Sequence, residues 1–122
     1  MIKCVKYTTE IRQHIMRAVN QVQIIGNLGK DPVSKVSKTK QSYIYFSLAE
    51  DGGKKLDGAG NRIKKTRWHD CIAWGDKLVE LLSATQKGDK LLVQGILDYD
   101  FKDDGDQRHK LPRIVVYDFV YM

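Results

Sequence analysis

Alternation of apolar and polar positions organises this chain. Over Tyr43–Ala49 (Y-I-Y-F-S-L-A), Ile44, Phe46 and Leu48 fall on one side of an extended strand, and Tyr43, Tyr45 and Ser47 on the other, because successive strand side chains point to opposite faces. Val19–Gly26 is another β-type run, with Val22 and Ile24 sharing a face. Thr66–Gly75 (T-R-W-H-D-C-I-A-W-G) holds both tryptophans of the protein. In a strand, Trp68, Asp70, Ile72 and Trp74 project one way, and His69, Cys71 and Ala73 the other. The period then changes. Leu78, Leu81 and Leu82 fall at helical spacing, Asp76 stands at the N-cap position, and Lys87-Gly88 closes the element. Strand character returns at Leu91–Tyr99 and Lys110–Tyr121, with Pro112 marking an irregular or edge start.

Between these elements lie punctuated stretches. Asn27–Pro32 breaks the first strand with Gly and Pro, and Ser34–Ser42 reads as a polar, basic loop. Glu50–Lys65 reads as a protruding hairpin loop with D-G-A-G-N at 57–61 as its tip, and Asp103–Asp106 as a turn. Residues 1–17 show no strand or helix pattern and no apolar secretory core. They are expected to be an N-terminal extension, either a flexible arm or a start set upstream, preceding one domain over 18–122.

Three strands, one short helix and two strands make an all-β fold with one short helix. The order fits a five-stranded Greek-key barrel of the OB type, whose second and third strands bind oligonucleotides. Tyr43 and Tyr45 then lie on strand two, Trp68 and Trp74 on strand three. Two roles are open to the indoles, core or stacking surface. The adjoining cations Arg62, Lys64, Lys65 and Arg67 favour the second, since flat aromatics beside clustered positive charge suit unpaired bases.

Composition sharpens this picture. One domain of 122 residues can build a core without metal or disulfide help, and no apolar run reaches the length of a membrane span. Net charge is +6, which favours a polyanionic partner. The charge is uneven: residues 30–67 hold ten Lys or Arg against four acids, whereas 98–106 hold five Asp against Lys102. Phosphate contacts are expected from Lys35, Lys38, Lys40, Lys54, Lys55, Arg62, Lys64, Lys65 and Arg67. Cys4 and Cys71 form no C-x-x-C pair, so a reducing compartment fits better than a disulfide framework.

Signatures of catalysis are poor. The glycines at 26–29 lack the Gly-Lys-Ser/Thr ending of a P-loop, and Gly58–Asn61 lacks the third glycine of a dinucleotide site. The Asp cluster lacks the closing Glu of a calcium loop. His14, His69 and His109 have no metal-ligand spacing, and no nucleophile-elbow motif occurs. The expectation is no enzyme, no metal and no cofactor.

Three separated blocks carry a resemblance. V-N-Q-V-Q-I-I-G-N-L-G-K-D-P at 19–32, T-R-W-H-D-C-I-A-W-G-D-K-L-V-E at 66–80 and K-G-D-K-L-L-V-Q-G-I-L at 87–97 resemble the first strand, the third strand with its helix start, and the fourth strand of bacterial and mitochondrial single-stranded DNA-binding proteins. The resemblance covers about residues 18–122. It implies an OB-fold homotetramer that wraps single-stranded DNA without sequence preference, in replication, recombination and repair. It also implies base stacking on Trp68, Trp74 and Phe101, and a subunit interface at His69. Three departures stand out. Lys54 stands near where many relatives carry a stacking Trp. The segment after Leu97 is acidic rather than basic. The sequence stops at Met122 without the family's acidic, Pro-Phe-ended tip, so tail-mediated partners are not expected. A bacterial, nucleoid-associated cytoplasmic protein is the expected setting, ahead of the mitochondrial matrix. The alternatives are an OB-fold primosome or replication accessory protein acting through protein contacts, and a nuclease.

Overall fold

The structure is a computed structural model, and it describes residues 18–122; the expected N-terminal extension, with Cys4 and His14, lies outside the described residues. The elements are β1 (Val22–Leu28), β2 (Val33–Val36), β3 (Ser42–Leu56), β4 (Arg62–Trp74), α1 (Asp76–Ser83), β5 (Lys90–Asp104) and β6 (Gln107–Tyr121). β1 pairs antiparallel with β5, β5 with β6, and β4 with β3. Cys71–Ala73 of β4 run parallel to Ile114–Val116 of β6. The end of β1 returns to β3, Leu28 opposite Leu48, and this contact closes a five-stranded barrel of OB topology.

The polar stretch expected as loop contains β2. Val33–Val36 pair with Tyr45–Ser42. β4 occupies the other edge of β3, so β1 and β2 share one edge as a single strand interrupted at Gly29–Pro32. All four β2 residues are exposed, which explains why a V-S-K-V run shows no buried face in sequence.

The core is the inward face that alternation assigns. Ile44, Phe46, Leu48, Cys71, Ala73, Leu91, Val93, Ile114 and Val116 are buried together with Leu28 and Leu82. Two glycines permit the tight closure. A Cβ on Gly26 would lie 2.6 Å from the carbonyl oxygen of Ala49, and one on Gly95 would collide with the backbone of Val115.

The helix differs from expectation at both ends. Gly75, in the left-handed region at φ 103°, is the N-cap, and no side chain caps the helix. Asp76 is the first helical residue, where its charge favours the positive end of the helix dipole. The helix ends at Ser83, and the Thr85 hydroxyl donates to the carbonyl of Leu82 at 2.6 Å. Leu78, Val79 and Leu82 pack against the core, while Leu81 is exposed.

The largest revision concerns the charged stretches. Glu50–Lys65 is strand for most of its length, and β5 and β6 likewise continue through the Asp-rich segment to a turn at Gly105. Turn structure in the first ribbon is confined to its tip, where the Asp57 carboxylate accepts the backbone N–H groups of Ala59 and Asn61 at 2.9 and 2.8 Å. Both ribbons extend past the barrel pairing and are solvated on their two faces. Neither face need be apolar, so no alternation marks them as strand.

Candidate nucleic-acid interface

β3 and β4 pair without interruption from Tyr43–Trp74 to Asp51–Thr66. Directly opposed residues share a face, so the register places Tyr43, Tyr45, Ser47 and Ala49 beside Trp74, Ile72, Asp70 and Trp68 on the outer surface. Neither indole is core: Trp68 is 61% and Trp74 42% exposed. Ile72, between them by parity, is only 2% exposed, with Tyr45 on one side and Val115 of β6 on the other.

The aromatics form a connected row. The ring centroids of Trp74 and Tyr43 are 4.8 Å apart, and those of Tyr43 and Tyr45 are 5.4 Å apart in an edge-on arrangement. Trp68 stands at the other end. Its six-membered ring edge lies against Gly29, so closely that a Cβ on Gly29 would overlap it. The turn after β1 thereby props the indole.

Arg113 is outside the cation set expected from sequence, yet it reaches the middle of this row. It donates from Nη1 to the Tyr45 hydroxyl at 2.8 Å, and its Nη2 donates to Asp100 Oδ2 at 2.8 Å. Arg113, Lys30, Tyr45, Ser47, Asp70 and Leu111 line a groove across the outer face. No local signal marks Arg113, because its partner Tyr45 is 68 residues away and the two meet only after β6 docks.

The expected phosphate-binding residues do not form one cluster. Lys35 lies on β2, and Lys38 and Lys40 on the turn that follows; Lys40 adopts φ 62° and borders Trp74. In the β3–β4 ribbon, Lys54 opposes Lys64 and Leu56 opposes Arg62, on the Trp68 face by parity. Lys55, Lys65 and Arg67 fall on the reverse face, a division that a bulge between Asp51 and Lys54 adjusts.

His69 is on that reverse face and half-buried. Its Nε2 is 2.9 Å from Glu50 Oε1, and Arg67 Nη1 donates to the same carboxylate at 3.4 Å. The His69 hydrogen bond, helped by the Arg67 charge, holds the Glu50 carboxyl below its usual pKa. Behind it, burial and then the nearby Asp70 charge push the Cys71 thiol up to about 12.

Phe101 lies apart from the row. It opposes Lys110 on β6, whereas Arg113 opposes Asp98, so Phe101 and Arg113 occupy opposite faces of the β5–β6 ribbon by parity. The Arg108 guanidinium covers the Phe101 ring at 4.2 Å, and the Lys110 ammonium covers Tyr99 at 3.8 Å. The acidic stretch is also partnered: Asp100 pairs with Arg113, while Asp103 and Asp104 stand 4.0 and 3.9 Å from Arg108 and His109. Among the described residues no three His, Cys, Asp or Glu side chains gather as a metal cluster, and no helix is long and apolar enough to cross a membrane.

Known proteins share this fold and parts of this sequence. A Plasmodium falciparum single-strand binding protein solved with single-stranded DNA shares the fold, with TM-score 0.75 at 24% identity over 88% of this chain and 98% of that one. The single-stranded DNA-binding protein 1 of Chlorobaculum tepidum is 37% identical over 97 residues, 76% of this chain but 59% of that protein's length. The mitochondrial single-stranded DNA-binding protein of Danio rerio is 28% identical over 94% of this chain and 84% of its own. The model of the single-strand binding protein family matches residues 19–122, nearly all of the described structure, and the chain therefore belongs to that family.

Proposed function

We propose that this chain coats single-stranded DNA during replication, recombination and repair, and that it does so without catalysis. The observation that carries this reading is the row of exposed Trp74, half-buried Tyr43 and Tyr45, and exposed Trp68 on the outer face of β3 and β4, continued by the cationic ribbon. Each base stacked on an aromatic contributes about 1–3 kcal/mol, whichever base it is. Lys and Arg neutralise phosphates and release counterions, which makes affinity fall with salt. Phe101 and Tyr99, each capped by a cation, offer a separate aromatic pair on the opposite face of the second ribbon.

The protein acts as a homotetramer in this reading, with His69 and Glu50 near the subunit contact. It needs no cofactor. Relatives come from bacteria and from mitochondria, and the bacterial cytoplasm is the proposed setting. Titrating tryptophan emission with a single-stranded 30-mer tests the core of the proposal. Quenching that saturates, weakens with salt and is not reproduced by duplex of the same length is expected. An unquenched signal, or equal binding of duplex, overturns it.

A further inference from the structure

Asp70 is a carboxylate at the centre of a surface that suits a polyanion. It lies on the outer face of β4, exposed, directly opposite Ser47 of β3. It borders two adjoining grooves, one shared with Lys30, Tyr45 and Arg113 and the other with Trp68 and Leu97. Neighbouring acids are engaged: Asp31 Oδ1 accepts the backbone N–H of Lys87 at 2.7 Å, and Asp100 holds Arg113. Asp70 itself enters no ion pair or side-chain hydrogen bond among the described residues.

A phosphate at this spot would meet an unscreened like charge, costing about 1 kcal/mol at 4 Å even in bulk water. A base edge would not. Bases held on Trp68 and the tyrosines carry no net charge, and some offer N–H donors to a carboxylate. Asp accepts from the N4 amino group of cytosine, and Arg donates to the O6 of guanine. Adenine offers N6 in the same way. Thymine and uracil instead turn carbonyl oxygens toward an acceptor, with one N–H between them. Arg113 is held within the same groove by the Tyr45 hydroxyl, so an acceptor and a fixed donor face one space.

We propose that Asp70 accepts the amino group of a base seated between Trp68 and Tyr45, and so biases this surface toward amino-bearing bases over thymine and uracil. The proposal rests on the single-strand binding reading and refines it: stacking admits every base, and Asp70 ranks them. One net hydrogen bond corresponds to about a two- to tenfold preference for the base that makes it.

Oligo-deoxycytidine and oligo-deoxyuridine 30-mers differ at the ring only in the 4-amino and 4-oxo groups, and neither carries the thymine methyl. Fluorescence titrations with both, on wild type, Asp70→Asn and Asp70→Ala, test the idea. Wild type should bind the cytidine oligomer about two- to tenfold tighter. Asp70→Ala should bring the ratio to about one. Asp70→Asn, whose amide can also donate to O4, should bind the uridine oligomer more tightly than wild type does. A wild-type ratio of one, or a preference that survives Asp70→Ala, overturns the assignment to Asp70 while leaving single-strand binding intact. Failure of wild type to bind either oligomer overturns the binding reading and this refinement with it. Matched thermal melts of the three proteins confirm that the exposed substitutions leave the fold unchanged.

Discussion

The indole of Trp74 lies against the phenol ring of Tyr43, with centroids 4.8 Å apart and planes 38° from parallel. The pair is cross-strand, residue opposite residue, and Trp74 keeps 42% of its surface exposed. Trp74→Ala should weaken single-strand binding by about 1–3 kcal/mol, as should Trp68→Ala. Tyr43→Ala should cost less alone, and the Trp74/Tyr43 double variant should cost less than the two single effects combined, because contacting residues are not additive. Titrations of the four variants decide. If Trp68→Ala and Trp74→Ala melt the domain yet leave affinity unchanged, the indoles are structural.

Gly29 and Gly95 both exclude a side chain, for different reasons. At Gly29 the obstacle is the Trp68 ring; at Gly95 it is the backbone of Val115. Gly29→Ala should displace the exposed indole, shift its emission and weaken binding with little change in melting. Gly95→Ala should destabilise the barrel by about 1–3 kcal/mol through overpacking, with affinity per folded molecule unchanged. Denaturant melts beside titrations separate the two, and equal destabilisation by both variants refutes the distinction.

Legibility in the sequence follows solvent exposure. Where one face is buried, as at Ile44, Phe46 and Leu48 or at Cys71 and Ala73, alternation specifies the strand, its inward side and the side bearing Trp68 and Trp74. Where both faces are wet, as at Glu50–Lys65 and Asp98–Lys110, the same backbone conformation leaves no pattern and looks like loop. The site is half legible for a related reason. Its aromatics come from two neighbouring strands and can be collected by parity. Arg113, Lys30 and the Gly29 prop arrive through barrel closure, which spacing along the chain does not encode. The cations of the first ribbon are legible as a group, but a bulge and a turn decide which face each one serves.

Those faces can be told apart by salt. Replacing Lys54, Arg62 and Lys64 by Gln removes cations from the Trp68 face, and replacing Lys55 and Lys65 removes them from the reverse face. Every phosphate left without its cation should reduce the log–log salt slope by about 0.7 for single strands. The triple variant should flatten the slope by up to about 2, and the reverse-face variant by much less. Equal flattening per residue removed would mean that the strand contacts both faces of the ribbon.

Glu50 links His69 to pH. Its carboxyl sits below the ordinary value of 4.5 because of the His69 hydrogen bond. A depressed carboxyl contributes stability above its unfolded pKa and loses it as pH falls through the folded one. Acid melts should therefore show a loss that begins near pH 4.5 and continues below it, and Glu50→Gln should remove that part of the profile. Under the proposed tetramer, whose subunit contact would include His69, Glu50→Gln and His69→Tyr should also raise the concentration at which light scattering reports dissociation. A wild-type monomer at micromolar concentration would exclude the tetramer.

Asp100 and Arg113 carry the last prediction. In sequence, Asp98–Asp106 looks like a repulsive patch, and substituting Asp103, Asp104 and Asp106 would be the way to relieve it. The β5–β6 pairing changes that expectation, since Arg113 stands opposite Asp98 and Arg108 opposite Asp103, with Lys102 and Lys110 on the same ribbon. Asp103 and Asp104 have exposed partners at 4.0 and 3.9 Å, pairs that contribute little either way. Asp100 differs because it holds the Arg113 guanidinium, which also touches Tyr45 in the aromatic row. A phosphate arriving at Arg113 must share it with Asp100 or displace it. Asp100→Asn should therefore tighten binding by about two- to fivefold at low salt, within the range of an exposed ion pair. It should also steepen the salt slope by up to about 0.7 as Arg113 gains a phosphate. The Asp103/Asp104/Asp106→Asn triple variant should change affinity less, despite removing three charges. Arg113→Ala should abolish the gain from Asp100→Asn in the double variant, because the effect passes through that side chain. Salt titrations of these proteins decide between local competition and diffuse repulsion: a larger gain from the triple variant, or a gain that persists without Arg113, would show that the ribbon acts through its total charge.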